Sequence, residues 1–117
     1  MSNPSKARGS KWETDLRSYL IDSGFDTVRN TTNGSNDIGD LAVRVNGRHY
    51  VIEAKATKTL DLSGFLAEAA VEQHNYATLN RLDPGFVHPL VVVKRRNHGV
   101  SRAYVVQELG EWLRDHA

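Results

Sequence analysis

Cysteine is absent from this 117-residue chain, which excludes a disulfide framework and any thiolate-bound metal. Nor is there an apolar run near the ~20 residues a membrane helix requires. The opening stretch, MSNPSKARGSKW, lacks the apolar core of a signal peptide, so the expected location is cytoplasmic. Neither a phosphate-cradling P-loop nor a dinucleotide glycine fingerprint occurs, which removes nucleotide-driven motors and Rossmann cofactors. The five histidines, at 49, 74, 88, 98 and 116, show no zinc spacing. Internal repeats and low-complexity segments are also missing. What remains, 39% hydrophobic and 25% charged residues, is the composition of one ordinary globular domain.

A net charge of +1 argues for no partner, but the distribution is uneven. Lys6, Arg8 and Lys11 precede the first acid, Glu13. Lys94, Arg95, Arg96 and Arg102 form a second block with no acid between them. Acids gather in 61–83 and 108–115. Two basic clusters on a near-neutral chain suit an anionic polymer, although solvated element ends explain them equally well on charge alone.

Residues 1–9 read as a flexible N-terminal arm and 10–117 as a single domain. Ser10-Lys11-Trp12-Glu13 has the form of a capping box, with a helix to about Asp22 burying Trp12, Leu16, Tyr19 and Leu20. Phe25–Arg29 is a short strand and 30–36 is loop chemistry. Ile38–Val45 and Arg48–Ala56 form a hairpin through Asn46-Gly47, the favoured two-residue turn. A long helix follows from Ser63, its expected cap, to about Leu82. Pro89–Arg96 reads as a buried strand, Ser101–Gln107 as its returning arm, and Glu108–Asp115 as a closing helix. The order α-β-β-β-α-β-β-α predicts an α/β fold with a mixed central sheet flanked by helices.

The hairpin carries the chemistry. With Asn46 and Gly47 as the loop, paired positions place Asp40 opposite Glu53, and both share a face with Ala42, Arg44, His49, Val51 and Lys55. Leu41, Val43, Val45, Tyr50, Ile52 and Ala54 make the opposite, apolar face. Opposed carboxylates are costly unless positive charge lies between them. Lys55 supplies one charge and a divalent cation the rest. Mg²⁺ suits an all-oxygen site of one or two carboxylates, with the carbonyl of Ala54 a further oxygen nearby. Ordinary charges on a wet sheet face are the competing explanation. Asp37, three residues before Asp40, competes as the ligand, and the turn-defined register favours Asp40.

Asp40, then Glu53-Ala54-Lys55 after a hairpin, behind a helix carrying Glu13, resembles the PD-(D/E)XK nuclease core. The nearer likeness is to the archaeal-type Holliday junction resolvases, over roughly residues 10–107. Gly39 stands where such nucleases often have proline. The resemblance implies a restriction-endonuclease-like core and Mg²⁺-dependent cleavage of DNA phosphodiesters, with Mn²⁺ able to substitute. It further implies a homodimer acting on branched DNA by paired nicks. Under it Asp40, Glu53 and Lys55 are catalytic, Glu13 is a further metal-site acid, and Gln73 is the helix glutamine touching the site. Without it Glu13 is a helix cap and Gln73 a satisfied buried glutamine. Arg29, Ser35, Asn36, Lys58, Arg95, Arg96 and Arg102 are the candidate DNA contacts. A nuclease of the same fold acting on flaps or duplex DNA, and an inactive DNA-binding protein, are the alternatives.

Overall fold

A computed structural model describes residues 4–31 and 37–117. Eight principal elements follow one another: α1 (Pro4–Asp22), β1 (Asp26–Arg29), β2 (Leu41–Val45), β3 (Arg48–Lys55), α2 (Leu62–Leu79), β4 (Val87–Val93), β5 (Tyr104–Val106) and α3 (Leu109–Asp115). The strands lie in the order β1-β2-β3-β4-β5. All neighbours are antiparallel except β3 and β4, which run parallel because the chain crosses back through α2. The sheet is therefore mixed, as the element order predicts. No helix among the described residues is long and apolar enough to cross a membrane.

The β2–β3 turn has the expected mirror-image geometry, with Asn46 at φ 51° and Gly47 at φ 79°. That turn sets the register Val45↔Arg48 through Leu41↔Ile52. Alternation then sends Leu41, Val43 and Ile52 to one face, where Trp12 and Leu16 of α1 and Val92 of β4 pack on them. Ala42 and Val51 go to the other face, beneath Tyr76 and Ala77 of α2. Phe65 and Ala69 of α2 cover Val91 and Val93 farther along that face. Alternation alone predicts a hairpin with one charged face in water. Instead α2 roofs that face, and Glu53 is buried beneath it.

Two helix starts differ from expectation. The first helix begins at Pro4, where a proline's missing N–H leaves no helical bond unmade. Ser10 and Glu13 consequently lie inside α1 and form no capping box: the Ser10 carbonyl accepts from the Thr14 hydroxyl at 3.0 Å. The second helix starts at Leu62, and Asp61 caps it by accepting from the Gly64 N–H at 3.0 Å. Short helix α3 is fixed to the sheet by polar contacts. Tyr50 donates to the Asp115 carboxylate at 2.6 Å, and Arg48 donates to the Asp115 carbonyl.

Candidate active site

Gly39 places Asp40. Its φ of +86° turns the chain into β2, and the Asp40 N–H donates to the carbonyl of Ile52 at 2.9 Å. Ile52 already pairs with Leu41, so two residues share one partner, as in a β-bulge. Asp40 therefore does not extend the ladder to a square pairing with Glu53, as the simple register count predicts. It reaches Glu53 from the end of the strand. One Asp40 carboxylate oxygen accepts from the Ala54 N–H at 2.8 Å, which holds the side chain over β3. The Asp40 carboxyl meets Glu53 on one side and Glu13 on the other.

Glu53 is 7% exposed, and its carboxyl meets Glu72 of α2 as well as Asp40. Lys55 projects its ammonium to 3.7 Å from Glu53 Oε1 and 3.1 Å from Glu68 Oε2, 4.9 Å from the centre of the Phe65 ring. Glu13, from α1, is paired with Arg29 of β1 at 3.2 Å. Arg29 also donates to the hydroxyls of Thr14 and Ser10. It serves first to hold Glu13.

Burial dominates the electrostatics. It raises the Asp40 carboxyl to about 6, with the Glu53 charge adding to it and the Ala54 N–H opposing. Burial and the neighbouring Glu72 raise Glu53 to about 8, against Asp40 and Lys55. Burial raises Glu72 to about 7, with Asp37 and Asp40 contributing, although its contact with Glu53 opposes. Glu13 is raised too, by burial and by Asp40. Burial alone would lower the Lys55 ammonium, but Glu68, Glu53 and Asp40 outweigh it, and its pKa moves up. A group of carboxyls that resists ionisation is one that lacks positive charge.

Glu72 and Asp37 extend the cluster: ligand oxygens of Asp37, Glu53 and Glu72 all lie within 4.8 Å of one another. Glu72 is 2% exposed, and its Oε2 has no hydrogen-bond partner among the described residues. An all-oxygen donor set with an unsatisfied buried carboxylate oxygen fits a hard divalent cation, in keeping with the divalent metal expected from sequence.

Gln73, expected at the site, is not there. Its amide donates to the carbonyls of Val87 at 3.2 Å and Pro84 at 3.4 Å, bracing the entry to β4. The buried stripe of α2 is Phe65, Ala69, Glu72 and Tyr76, spaced four, three and four. An apolar stripe read from the sequence as Leu66, Ala69, Ala70, Tyr76 and Ala77 agrees with the buried residues at Ala69, Tyr76 and Ala77, but takes Gln73 as the polar residue interrupting it. Sequence reasoning misses Glu72 for that reason, although the spacing holds the signal.

The basic residues divide. Lys58, Arg95 and Arg96 line a cleft of about 600 Å³ with Arg8 and Lys94, at the carboxyl ends of β3 and β4. Arg102 lies on the short turn before β5 and is not part of that lining. Ser35 and Asn36 fall outside the described residues. The cleft begins one residue beyond Lys55, whose carbonyl accepts from the Lys94 N–H at 2.8 Å.

Comparison with known proteins gives two findings. The family model for archaeal Holliday junction resolvases (Hjc) matches residues 4–73. Among solved structures, the chain is similar to Archaeoglobus fulgidus Hjc, a Holliday junction resolvase from an archaeal hyperthermophile. The identity is 23% and the TM-score 0.52, over 90% of this chain and 93% of that one, a likeness of fold. No curated protein matches.

Proposed function

The chain belongs to the archaeal Holliday junction resolvase family, and on that premise we propose that Asp40, Glu53 and Lys55 cut DNA phosphodiesters with Mg²⁺ as the working cation. It is a structure-selective, junction-resolving endonuclease of the PD-(D/E)XK type. The single observation that carries the site assignment is the meeting of two half-buried to buried carboxyls, Asp40 and Glu53, with the Lys55 ammonium 3.7 Å from the second.

Each residue has a role that its surroundings support. Asp40, held by the Ala54 N–H, and Glu53 present oxygens to the cation, with Glu13 a further acid beside Asp40. When bound, a divalent cation supplies Lewis-acid stabilisation of charge developing on the phosphate. Lys55, with its pKa moved up, remains an ammonium at neutral pH. It acts as a donor that orients the attacking water or neutralises phosphate oxygens, and not as a general base. The cleft lined by Lys58, Arg95 and Arg96 takes the DNA backbone away from the site, and Arg29 and Arg102, outside its lining, are kept as further DNA contacts. Ser35 and Asn36 are retained from the sequence as candidate phosphate contacts.

A four-way junction offers two equivalent strands, so paired nicks call for two active sites and hence a homodimer. An apolar groove of about 410 Å³, lined by Tyr19, Phe25, Val45 and Val105 among others, supports an apolar contact between copies. Action on DNA fits a cytoplasmic location.

The test compares a labelled four-way junction with matched linear duplex, in Mg²⁺ and in EDTA, using wild type and Glu53→Gln. Paired symmetric nicks on the junction, absent in EDTA and in the variant, are expected. Unimpaired cleavage by Glu53→Gln would sink the site assignment. Mg²⁺-dependent cutting of duplex or flaps in preference to junctions would discard the substrate.

A further inference from the structure

We infer that Asp37, Glu53 and Glu72 form a second cation position, on the α2 side of Glu53, distinct from the one Asp40 serves. Glu53 would then be shared by two hard divalent ions. The inference rests on reading the acidic pocket as a metal centre.

Two independent features point to a ligand here. The first is distance: the oxygens of the three residues lie within 4.8 Å of one another. Oxygens on opposite sides of Mg²⁺ are about 4.1 Å apart, given bonds of ~2.05 Å, so small side-chain rotations close the set on one ion. The second is Glu72 Oε2, which points into this space with no hydrogen-bond partner among the described residues, on a side chain that is 2% exposed. A buried carboxylate oxygen left unmatched costs stability unless a ligand engages it.

The backbone beside that oxygen is closely packed. A Cβ at position 39 would stand 3.4 Å from Glu72 Oε2 and 2.6 Å from Val51 Cγ1. Gly39 is required there by the close approach of Val51 and by its own left-handed backbone, and it lets the turn lie against Glu72. The flanking geometry is fixed by the same elements. Asn75, one turn along α2 from Glu72, donates to the Asp37 carbonyl at 2.8 Å and ties that loop to the helix. Asp37 Oδ1 accepts from the Gly39 N–H at 2.9 Å, leaving its other oxygen for a ligand. Asp40 is engaged separately, by Ala54 and beside Glu13, so the two positions draw on different carboxylates apart from Glu53. The competing explanation is a proton shared between Glu53 and Glu72.

Mn²⁺ binding to the metal-stripped full chain without DNA, counted by electron paramagnetic resonance, separates these. Two ions per wild-type chain are expected. Glu72→Gln and Asp37→Asn should each weaken one ion by at least ~10-fold and leave the other. Asp40→Asn should weaken the other one. A single ion in wild type, or two that ignore both Glu72→Gln and Asp37→Asn, would overturn the inference and leave the Asp40 centre standing. Two ions unaffected by Asp40→Asn would instead overturn the metal-centre reading beneath it. Melting in EDTA controls for folding, and Glu72→Gln should be at least as stable as wild type. If that variant unfolds, the exposed Asp37→Asn decides the matter alone.

Discussion

Asp40, Glu53 and Glu72 have folded-state pKa values of about 6, 8 and 7, each above the ordinary carboxylate range. The folded chain therefore binds protons that the unfolded chain has released between about pH 4.5 and 8, and its stability falls as pH rises through that window. Below the ordinary carboxylate range both states are protonated and the penalty vanishes. Metal-free protein in EDTA should accordingly melt at progressively lower temperature from pH 5 to 8, and Mg²⁺ should restore most of the loss at pH 8. Thermal melts across that range check this, and a flat or rising profile in EDTA would contradict it. Glu53→Gln should flatten the profile, raise metal-free stability, and still cost about 10²-fold or more in cleavage. Opposite signs on stability and activity mark a residue kept for chemistry. The nearness of Asp40, Glu53 and Lys55 is legible in the sequence because a two-residue turn sets the β2–β3 register, although the bulge-like turn at Gly39 replaces the square pairing that a register count gives. Glu72 lies 19 residues beyond Glu53, next to Gln73 on an otherwise apolar stripe, and which of two adjacent polar residues turns inward depends on packing that the sequence does not display.

The hairpin does its positioning through its first turn as well as its last. Gly39 combines a φ of +86° with a Val51 methyl 2.6 Å from where a Cβ would sit. Gly39→Ala should cost about 1–2 kcal/mol for the left-handed backbone and a further ~1–3 for the crowding. Urea unfolding of the metal-free variant measures the total, and a loss below ~1 kcal/mol would show that Asp40 can be presented without this turn. Loss of cleavage should exceed what instability explains, since Asp40 and Glu72 both border the crowded space. Element order and the β2–β3 register are readable because turn chemistry and alternation are local properties. The burial of the hairpin's charged face is not. Sequence alternation shows that a strand has two faces, but not that α2, arriving through the crossover, will cover the polar one. The start of the first helix is hidden for a similar reason: Ser10 and Glu13 satisfy a capping pattern, yet they serve Arg29 from inside a helix begun six residues earlier.

At the scale of the molecule, a chain 40 Å in its longest dimension matches about one duplex turn of ~34 Å. Under the proposed function, one chain tracks a single junction arm through the cleft at the ends of β3 and β4. Five basic side chains, Arg8, Lys58, Lys94, Arg95 and Arg96, line that cleft without an acid among them. Arg95 also rests against the Tyr104 ring, 5.8 Å from its centre, which limits the guanidinium's freedom before DNA arrives. Cations that pair with phosphates act through counterion release, so their effect should appear in the salt dependence of binding. Removing one such cation should reduce the slope of log affinity against log salt by about 0.9. Replacing Lys58, Arg95 and Arg96 together with alanine should then flatten the slope by up to ~3 and weaken junction binding most at low salt. Glu53→Gln should do the reverse, keeping the slope while cleavage disappears. Fluorescence-anisotropy titrations of a labelled junction at several salt concentrations distinguish the two. An unchanged slope in the triple variant would mean that DNA leaves the active site by another route, and that the basic residues clustered in the cleft are solvated ends of elements after all.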